Sequence, residues 1–396
     1  MKEQKTSQRS GPSLLLILSV IGLTACGAHK ASEAAQSTIE SAAPEKTTPP
    51  KTPLVKAIKD AYEPYFSVGV AIAPHHIENV SDIITTHFNH VTAENDMKLG
   101  PIHPEADEWD YANADIIARF ARDHKMMMTG HTLVWHRMQP DWLFAGLTPG
   151  DPASIMTLQS RLQNHIETIV ARYSDVIDNW DVVNEAISDS PDKQYRDGSE
   201  GSKWHEIYGD ETYVLDAFTF ARQALEKAHG SAEGRLYYND YNITLKLDKI
   251  LETAKWLRDE KGIPVAGIGF QAHWNIDWPS VDDIEEAITR IVDAGFKIKI
   301  SELDLSIYTN DDWENEKWEP ERAFDAALQA EQAARYKALF ELFRKHKDHI
   351  TSVTLWGVSD DATWLDDFPA KARNNHPLLF DDQHAPKASV PAIVNF

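Results

Sequence analysis

Trp180-Asp-Val-Val-Asn-Glu-Ala186 and Lys297-Ile-Lys-Ile-Ser-Glu-Leu-Asp304 are the two stretches that decide the predicted fold. In each, a short run rich in β-branched and apolar residues gives way to polar residues. Such a point is where a buried parallel strand ends and a functional loop begins. Glu185 and Glu302 stand there, so we predict a pair of carboxylates at the ends of two separate strands.

Predicted strands alternate with predicted helices along most of the chain. Short β-rich runs predict strands at residues 67–72, 90–92, 127–132, 176–183, 235–238, 267–271, 297–303 and 352–356. Helical periodicities lie between them, at residues 111–124, 158–173, 213–229, 245–260, 281–294 and 327–346. Several end at a glycine, such as Gly230, Gly262 and Gly295.

Eight such units are typical of an α/β protein built as a (β/α)₈ TIM barrel. A doubly wound open sheet has the same alternation and is the rival interpretation. No Gly-x-Gly-x-x-Gly follows the first predicted strand. Polar residues follow many strands, and in a barrel all of these ends meet on one face. We therefore predict the barrel.

Composition limits the partners that the protein can have. The formal net charge of −23 over 396 residues argues against nucleic acid and anionic membrane surfaces. Twelve tryptophans are many, and their flat apolar rings suit cores, interfaces and the faces of sugars. A neutral substrate is compatible with this charge.

The amino terminus has the pattern of a targeting segment. Lys2, Lys5 and Arg9 form a positive region, and residues 13–23 form an apolar run too short to span a bilayer. Leu-Thr-Ala-Cys26 follows and resembles the lipobox of bacterial lipoproteins, in which the cysteine is lipidated. We predict a lipoprotein signal peptide at residues 1–26, with an ordinary cleavable signal as the alternative.

Cys26 is the single cysteine of the chain, so no disulfide can form within it. Gly27, rather than an acidic residue, follows it, which favours the outer membrane and a folded domain that is periplasmic or on the cell surface. Residues 27–53 are poor in large apolar side chains and predict a disordered tether. The folded domain is predicted at residues 54–396.

The other predicted strands also end in polar and aromatic side chains. Amides, imidazoles and charged groups bind hydroxyl edges, and indoles cover apolar ring faces, so together they predict a cleft for neutral polyhydroxylated rings. Two carboxylates in such a cleft are what cleavage of a glycosidic bond requires. The candidate binding residues are Glu94, Asn95, Lys98, His131, Trp135, Asn184, Tyr241, Asn242, Gln271, His273, Trp356 and Trp364.

Single residues of this set have simpler explanations. The segment 94–98 taken alone fits a solvated turn, and His131 and His136 fit buried core histidines. Their spacing is not a zinc pattern, and the acidic run at 310–316 lacks calcium-loop spacing, so we predict no metal and no cofactor. Packing and sugar stacking are equally compatible with Trp204, Trp274 and Trp278.

Seven segments, in order, make the chain resemble the family 10 glycoside hydrolases, the endo-β-1,4-xylanases with a (β/α)₈ barrel. The resemblance covers essentially all of the chain from Leu54 onward. The matching segments are Glu94-Asn95-x-Met97-Lys98, Gly130-His-Thr-Leu-Val-Trp-His136, Trp180-Asp-Val-Val-Asn-Glu-Ala186, Asn239-Asp-Tyr-Asn242, Gly269-Phe-Gln-x-His273, Ser301-Glu-Leu-Asp304 and Trp356-Gly-Val-x-Asp360 with Trp364.

The resemblance implies a role for each candidate. Glu185 is the expected acid/base and Glu302 the expected nucleophile of a retaining reaction, with Asn184 on the sugar 2-hydroxyl and His273 holding the nucleophile. Around the −1 sugar it places Lys98, His131 and Gln271. It further places Glu94 and Asn95 at subsite −2, Trp135, Trp356 and Trp364 as walls, and Tyr241 and Asn242 on the aglycone side.

Two departures from the family pattern border the glycone subsites. Met138 stands where many relatives have glutamine, with Gln139 one position later. The segment Leu-Gly-Pro-Ile-His103 is also less usual. Glycone preference and tolerance of xylan side chains therefore stay open.

The expected partners are xylan and xylo-oligosaccharides, with an outer-membrane lipid anchor, no nucleic acid and a monomeric protein. An enzyme that acts mainly on short xylo-oligosaccharides or aryl β-glycosides is the first alternative. A xylan-binding lipoprotein without catalysis is the second, and it conflicts with the presence of both Glu185 and Glu302.

Overall fold

A computed structural model of the chain describes residues 56–318, 321–371 and 373–396. The predicted signal peptide, its Cys26 and the predicted tether lie outside the described residues.

Eight parallel strands of the described part close into a barrel, and a ninth short strand lies at its rim. Neighbouring strands pair in sequence, and the pairs β1–β9 and β6–β8 close the ring. The prediction of a (β/α)₈ barrel is therefore confirmed and the open-sheet alternative is wrong. The strands are β1 Ser67–Ile72, β2 His90–Ala93, β3 Met127–Val134, β4 Ile177–Asn184, β5 Leu236–Asp240, β6 Val265–Phe270, β7 His273–Asn275, β8 Lys297–Ser306 and β9 Ile350–Leu355.

Helices surround the barrel at the positions that the periodicity predicts, with short additional turns in the loops. The helices of the described residues are α1 Ile58–Tyr62, α2 Pro74–His87, α3 Leu99–Ile102, α4 Ala112–Asp123, α5 Pro152–Tyr173, α6 Lys203–Tyr208, α7 Thr212–His229, α8 Ile243–Lys255, α9 Val281–Asp293, α10 Asn310–Glu314, α11 Ala326–Lys345 and α12 Ser389–Val394. A π turn, Trp256–Glu260, continues α8 to the predicted end.

Helix α5 illustrates why the helices form where periodicity predicts them and why their first residues are harder to predict. Leu158, Leu162, Ile166 and Ile169 recur every three or four residues and are fully buried, which gives the helix its core face. The helix starts six residues before the predicted position, at Pro152. Asp151 caps it there, because its carboxylate accepts the Ser154 N–H at 2.9 Å.

The carboxyl ends of the barrel strands depart from regular pairing where the predicted site lies. The β8–β9 register shifts between Ile300 and Leu303, on either side of Glu302. Beyond that point β8 continues to Ser306 and pairs with the rim strand β7, which the sequence did not predict. A bulge of this kind turns a side chain away from the ladder. Glu302 is thereby free to point into the barrel mouth.

Close packing inside the barrel also explains one glycine of the β3 segment. A Cβ built on Gly130 would lie 2.1 Å from the Trp180 indole, which is 1% exposed. Only glycine lets the β3 backbone approach this ring. The contact holds β3 against β4 at Trp180, on the strand that ends at Asn184.

Candidate active site

All of the predicted catalytic and binding residues of the described chain line one cleft at the carboxyl ends of the barrel strands. Its volume is about 800 Å³, which suits several sugar rings. The predicted residues that line it are Glu94, Asn95, Lys98, His131, Trp135, Asn184, Glu185, Tyr241, Asn242, Gln271, His273, Glu302, Trp356 and Trp364.

Glu185 is the first residue after β4, and three side chains hold its carboxylate. Trp135 Nε1 donates to Oε2 at 2.8 Å, while Gln271 Nε2 and Asn184 Nδ2 donate to Oε1 at 2.9 and 3.2 Å. Its backbone has a φ of 57°, which is uncommon for a residue with a side chain. The Glu185 N–H donates to Asn239 O at 2.9 Å, which ties this conformation to β5. Strain at this position is typical of a functional residue.

Glu302 is buried and lies among positively charged and donor groups. Asn239 Nδ2 donates to its Oε1 at 2.6 Å, and His273 Nε2 lies 3.2 Å from its Oε2. Burial by itself would raise the pKa of Glu302, but the fields of His131, His273 and Lys98 together hold that pKa below its ordinary value. The carboxylate is therefore kept ionised, as a nucleophile requires.

His273 belongs to a chain of contacts that runs from Glu302 to the last loop. Its Nδ1 lies 2.9 Å from Asp304 Oδ2, which also accepts the Trp364 indole N–H at 2.9 Å. Burial lowers the pKa of His273, but Asp304 and Glu302 outweigh burial and raise the pKa to about 10. His273 is thus a cation at neutral pH, with both ring nitrogens donating.

Asn239 links the Glu302 carboxylate to the Asn184 amide, and the sequence-based site did not include it. Its Nδ2 contacts Glu302 and also Asn184 Oδ1 at 2.9 Å, and its Oδ1 accepts the Ser301 hydroxyl at 2.6 Å. A Cβ on Gly269 would lie 2.1 Å from that Oδ1. The signal was present, since Asn239 begins the polar segment at the end of the fifth predicted strand.

The side of the cleft that contains Glu94, Asn95 and Lys98 carries a chain of polar contacts. Lys98 Nζ donates to Asn95 Oδ1 at 2.8 Å, and Asn95 Nδ2 donates to Glu94 Oε1 at 3.1 Å. The ammonium lies 4.7 Å from the Trp135 ring centroid and 5.8 Å from that of Trp356. Burial lowers the pKa of Lys98, and Glu302 and Glu94 oppose that shift. These groups offer donors and acceptors to ring hydroxyls at the bottom of the cleft.

The opposite side of the cleft is built by the segment after β5. Tyr241 stacks under Lys246, whose Nζ lies 3.7 Å from the ring centroid, and its hydroxyl contacts Asp189 and Arg196. Arg196 Nε also donates to the Glu185 carbonyl at 3.3 Å. This cluster supports the Glu185 loop from behind. Sequence reasoning missed it, because its members are far apart along the chain.

His131 and His136, the two histidines of the β3 segment, have different surroundings. His131 lines the cleft and is 1% exposed, with Nδ1 3.1 Å from Asp181 Oδ2. His136 packs beside Glu185, with Nδ1 3.9 Å from Glu185 Oε2. Burial, followed by the charge of Arg196, lowers the pKa of His136 to about 3. His136 is therefore neutral, in keeping with the core-histidine interpretation.

The tryptophans left open by the sequence divide between packing and the cleft. Trp204 is 1% exposed, and its Nε1 donates to the Trp135 carbonyl at 2.9 Å, so it anchors the cleft wall. Trp274 belongs to both groups, because it is 3% exposed and packs on Phe270 but also lines the cleft. Trp278 lines the cleft together with Trp313, which the sequence analysis had not singled out.

Met138 and Gln139, the unusual residues after His136, contact the backbone of neighbouring segments. The Met138 side chain is 41% exposed, and its carbonyl accepts the Gly100 N–H at 2.8 Å. Gln139 Nε2 donates to the Trp135 carbonyl. Gln139 thus supports the cleft wall from one position further along than the usual glutamine.

One group of side chains outside the catalytic pair has metal-ligand spacing. Asp360, His376 and Asp382 bring one ligand atom each within 4.8 Å of one another. Asp360 Oδ2 already lies 2.9 Å from the buried Lys387 Nζ. That ammonium supplies the positive charge that a cation would bring, so the group is an ion pair in its own right.

Known proteins resemble this chain over most of its length. The family profile described as glycosyl hydrolase family 10 matches residues 57–396. Endo-1,4-beta-xylanase B of Paenibacillus barcinonensis is 40% identical over 342 residues, which cover 86% of this chain and 98% of the relative. Endo-1,4-beta-xylanase A of Caldicellulosiruptor saccharolyticus is 40% identical over 344 residues, which cover 86% and 96%.

Solved structures give the same result. Xylanase XynB from Paenibacillus barcinonensis, complexed with a conduramine derivative, has a TM-score of 0.77 at 38% identity and covers 87% of this chain and 99% of its own. The endo-1,4-beta-xylanase from Caldicellulosiruptor owensensis has a TM-score of 0.77 at 39% identity, with coverage of 86% and 100%. Barrel, cleft and sequence therefore agree, and the chain belongs to glycosyl hydrolase family 10.

Proposed function

We propose that the protein hydrolyses internal β-1,4-xylosidic bonds of xylan, with Glu185 as acid/base and Glu302 as nucleophile. It is a glycoside hydrolase, a retaining endo-β-1,4-xylanase of xylan degradation. The observation that carries the residue roles is the different surroundings of the two carboxylates. Glu302 is buried against the His273 cation, while Glu185 stands on a strained loop beside the aglycone side of the cleft.

In the first step the Glu302 carboxylate attacks the anomeric carbon of the −1 sugar. The glycosidic C–O bond breaks, and Glu185 donates its proton to the leaving oxygen. Asn239 and His273 hold the two Glu302 oxygens, so the nucleophile needs little reorganisation. The product of this step is a glycosyl ester on Glu302. Retention of this kind predicts carboxyl groups about 5–5.5 Å apart.

In the second step Glu185, now ionised, takes a proton from water as that water attacks the anomeric carbon. The ester bond to Glu302 breaks, and the sugar leaves with its original configuration. Asn184 is the proposed partner of the 2-hydroxyl. Its Oδ1 already accepts from Asn239 and Gln271, which fixes the amide orientation that presents Nδ2 to the cleft.

The charge of His273 should control the acid side of the pH profile. In His273→Gln the cation beside Glu302 is lost, so the pKa of Glu302 rises. Activity needs ionised Glu302, and the acid limb of kcat/KM should therefore move to higher pH by about one unit or more. The measurement is hydrolysis of an aryl β-xylobioside across pH. The exposed His124→Gln is the control, and an unmoved limb in His273→Gln would contradict this role.

Digestion of plain and decorated xylan tests the reaction itself. We expect mixed oligomers early in the reaction, with the β-anomer formed first and seen by NMR before mutarotation. Xylobiose alone from the start would instead favour the alternative enzyme that trims short oligosaccharides. An α-anomer as the first product would contradict retention.

The location of the protein is a separate part of the proposal. Cys26 is lipidated, residues 27–53 tether the domain, and the monomeric enzyme acts at the outer membrane in the periplasm or at the cell surface. The support is the sequence pattern around Cys26. In the described residues no helix has both the length and the apolar character needed to cross a membrane.

Replacement of Cys26 by serine should release the enzyme from the membrane. Lipid attachment needs the thiol, so Cys26→Ser should lose label from radioactive palmitate and appear in soluble fractions. Ser37→Ala, in the predicted tether, is the matched control and should stay with the membrane. A Cys26→Ser protein that still fractionates with membranes would rule out this anchor.

A further inference from the structure

Lys299 is a charged side chain inside the barrel that the catalytic steps above do not use. It lies on β8 three residues before Glu302, and its side chain is 2% exposed. Its Nζ lies 2.7 Å from Asp181 Oδ1 and donates to Asn179 Oδ1 at 2.9 Å. Burying an ammonium is costly unless it is paired. The position therefore requires an explanation.

The partner of Lys299 connects directly to the cleft. Asp181 uses its other oxygen, Oδ2, to accept from His131 Nδ1 at 3.1 Å. Since a carboxylate can only accept, Nδ1 carries the hydrogen and Nε2 is the free ring atom of His131. His131 in turn lines the cleft, with its ring 5.3 Å from that of Trp356. Lys299, Asp181 and His131 thus form one buried row that ends at the cleft.

We propose that Lys299 is a positioning residue, which holds Asp181 ionised and oriented so that Asp181 fixes His131 against the −1 sugar and beside Glu302. This inference rests on the proposed function of the cleft. Lys299 does not touch the substrate; it acts through Asp181.

The pKa shifts of Asp181 and Lys299 agree with this arrangement. Burial by itself would raise the pKa of Asp181, but Lys299 and His131 hold it below its ordinary value. Burial lowers the pKa of Lys299, whereas Asp181 and Glu302 oppose that shift. Glu302 and Lys299 therefore interact electrostatically. Without Lys299 the row loses one positive charge beneath the nucleophile.

Other titratable groups face this row and enter any pH argument. His90 on β2 lies beneath it, and burial, followed by the charge of Lys299, lowers its pKa to about 3. Tyr237 on β5 has its ring 4.6 Å from Lys299 Nζ. Around Glu302 the remaining charged groups are Lys98, Glu185, His273 and Asp304.

The test compares Lys299→Met, Lys299→Gln and Lys299→Arg. Glutamine keeps a donor for Asp181 without the charge, and arginine keeps both. We expect Met and Gln to lower kcat about tenfold with a smaller effect on KM, since His131 matters most in the transition state. The acid limb of kcat/KM should move up by about half to one pH unit, and Arg should restore most of both.

Lys387→Met is the matched control, because it also removes a buried lysine from an aspartate, 2.9 Å from Asp360 Oδ2. It should lose comparable thermal stability and keep the wild-type acid limb. If Lys299→Met does not fold, the comparison of Lys299→Gln with Lys299→Arg tests the positioning role instead. Wild-type kinetics in Lys299→Gln would overturn the proposal.

A second measurement separates this inference from the proposed function. In ¹⁵N-histidine NMR, the Nδ1–H proton of His131 should be sharp in the wild type and lost or shifted in Lys299→Gln. An unchanged His131 signal would overturn the positioning role, whatever the activity. Absence of xylan hydrolysis by the wild type would instead count against the proposed function alone.

Discussion

Replacement of Glu302 by alanine should abolish turnover of xylan, with a loss on the order of 10⁴-fold or more. The variant has no atom that can attack the anomeric carbon, and the cations around Glu302 are left without their anion. Azide fits the vacated space and should restore activity on activated aryl xylosides. The product should be the glycosyl azide of opposite anomeric configuration, which NMR identifies.

The control for Glu302 is Glu286→Ala, which removes an exposed carboxylate on α9. It should keep wild-type kinetics. Glu302→Ala with substantial activity on xylan would refute the nucleophile assignment. Loss of activity without any azide product, in a protein that is folded by circular dichroism, would place Glu302 in a structural role instead.

Replacement of Glu185 by alanine should separate the two chemical steps. Loss of a general acid and base costs roughly 10²–10⁴-fold, so hydrolysis of xylan should fall by that factor. An aryl glycoside with a very good leaving group needs no proton for the first step. It should therefore give a burst of the released phenol, followed by slow turnover, because deglycosylation needs Glu185 as base.

Mass spectrometry checks this directly. A glycosyl ester should accumulate on the peptide that contains Glu302 in Glu185→Ala. Asp361→Ala, in the last loop but outside the carboxylate pair, is a suitable control and should show no accumulation. Equal losses on xylan and on activated substrates, with no burst, would contradict the acid/base role of Glu185.

The sequence was sufficient to bring every predicted cleft residue of the described chain to the right place, although it missed others such as Trp313. Glu185, Glu302 and their predicted neighbours in the described chain line one cleft, although they come from seven distant segments. The reason is that parallel strands in a barrel bring all their carboxyl ends to one face. Local patterns that mark strand ends therefore predict proximity without any knowledge of packing.

Element ends and the rim strand were less predictable. The start of α5 depends on the Asp151 cap, and β7 exists only because β8 continues past Glu302 to offer it a partner. Such pairing is decided between residues far apart in sequence. Periodicity within one segment carries no information about it.

By itself, the sequence determined the barrel, the pair of carboxylates and the class of substrate, because strand patterning and strand-end chemistry are local. The tertiary structure alone decided how each carboxylate is held. It brought Asn239 into contact with both Asn184 and Glu302. It also paired His273 with Asp304, and Lys299 with Asp181. These contacts depend on distance, burial and charge across strands, so a single segment can mark Asn239 as a strand-end residue but cannot show what it contacts.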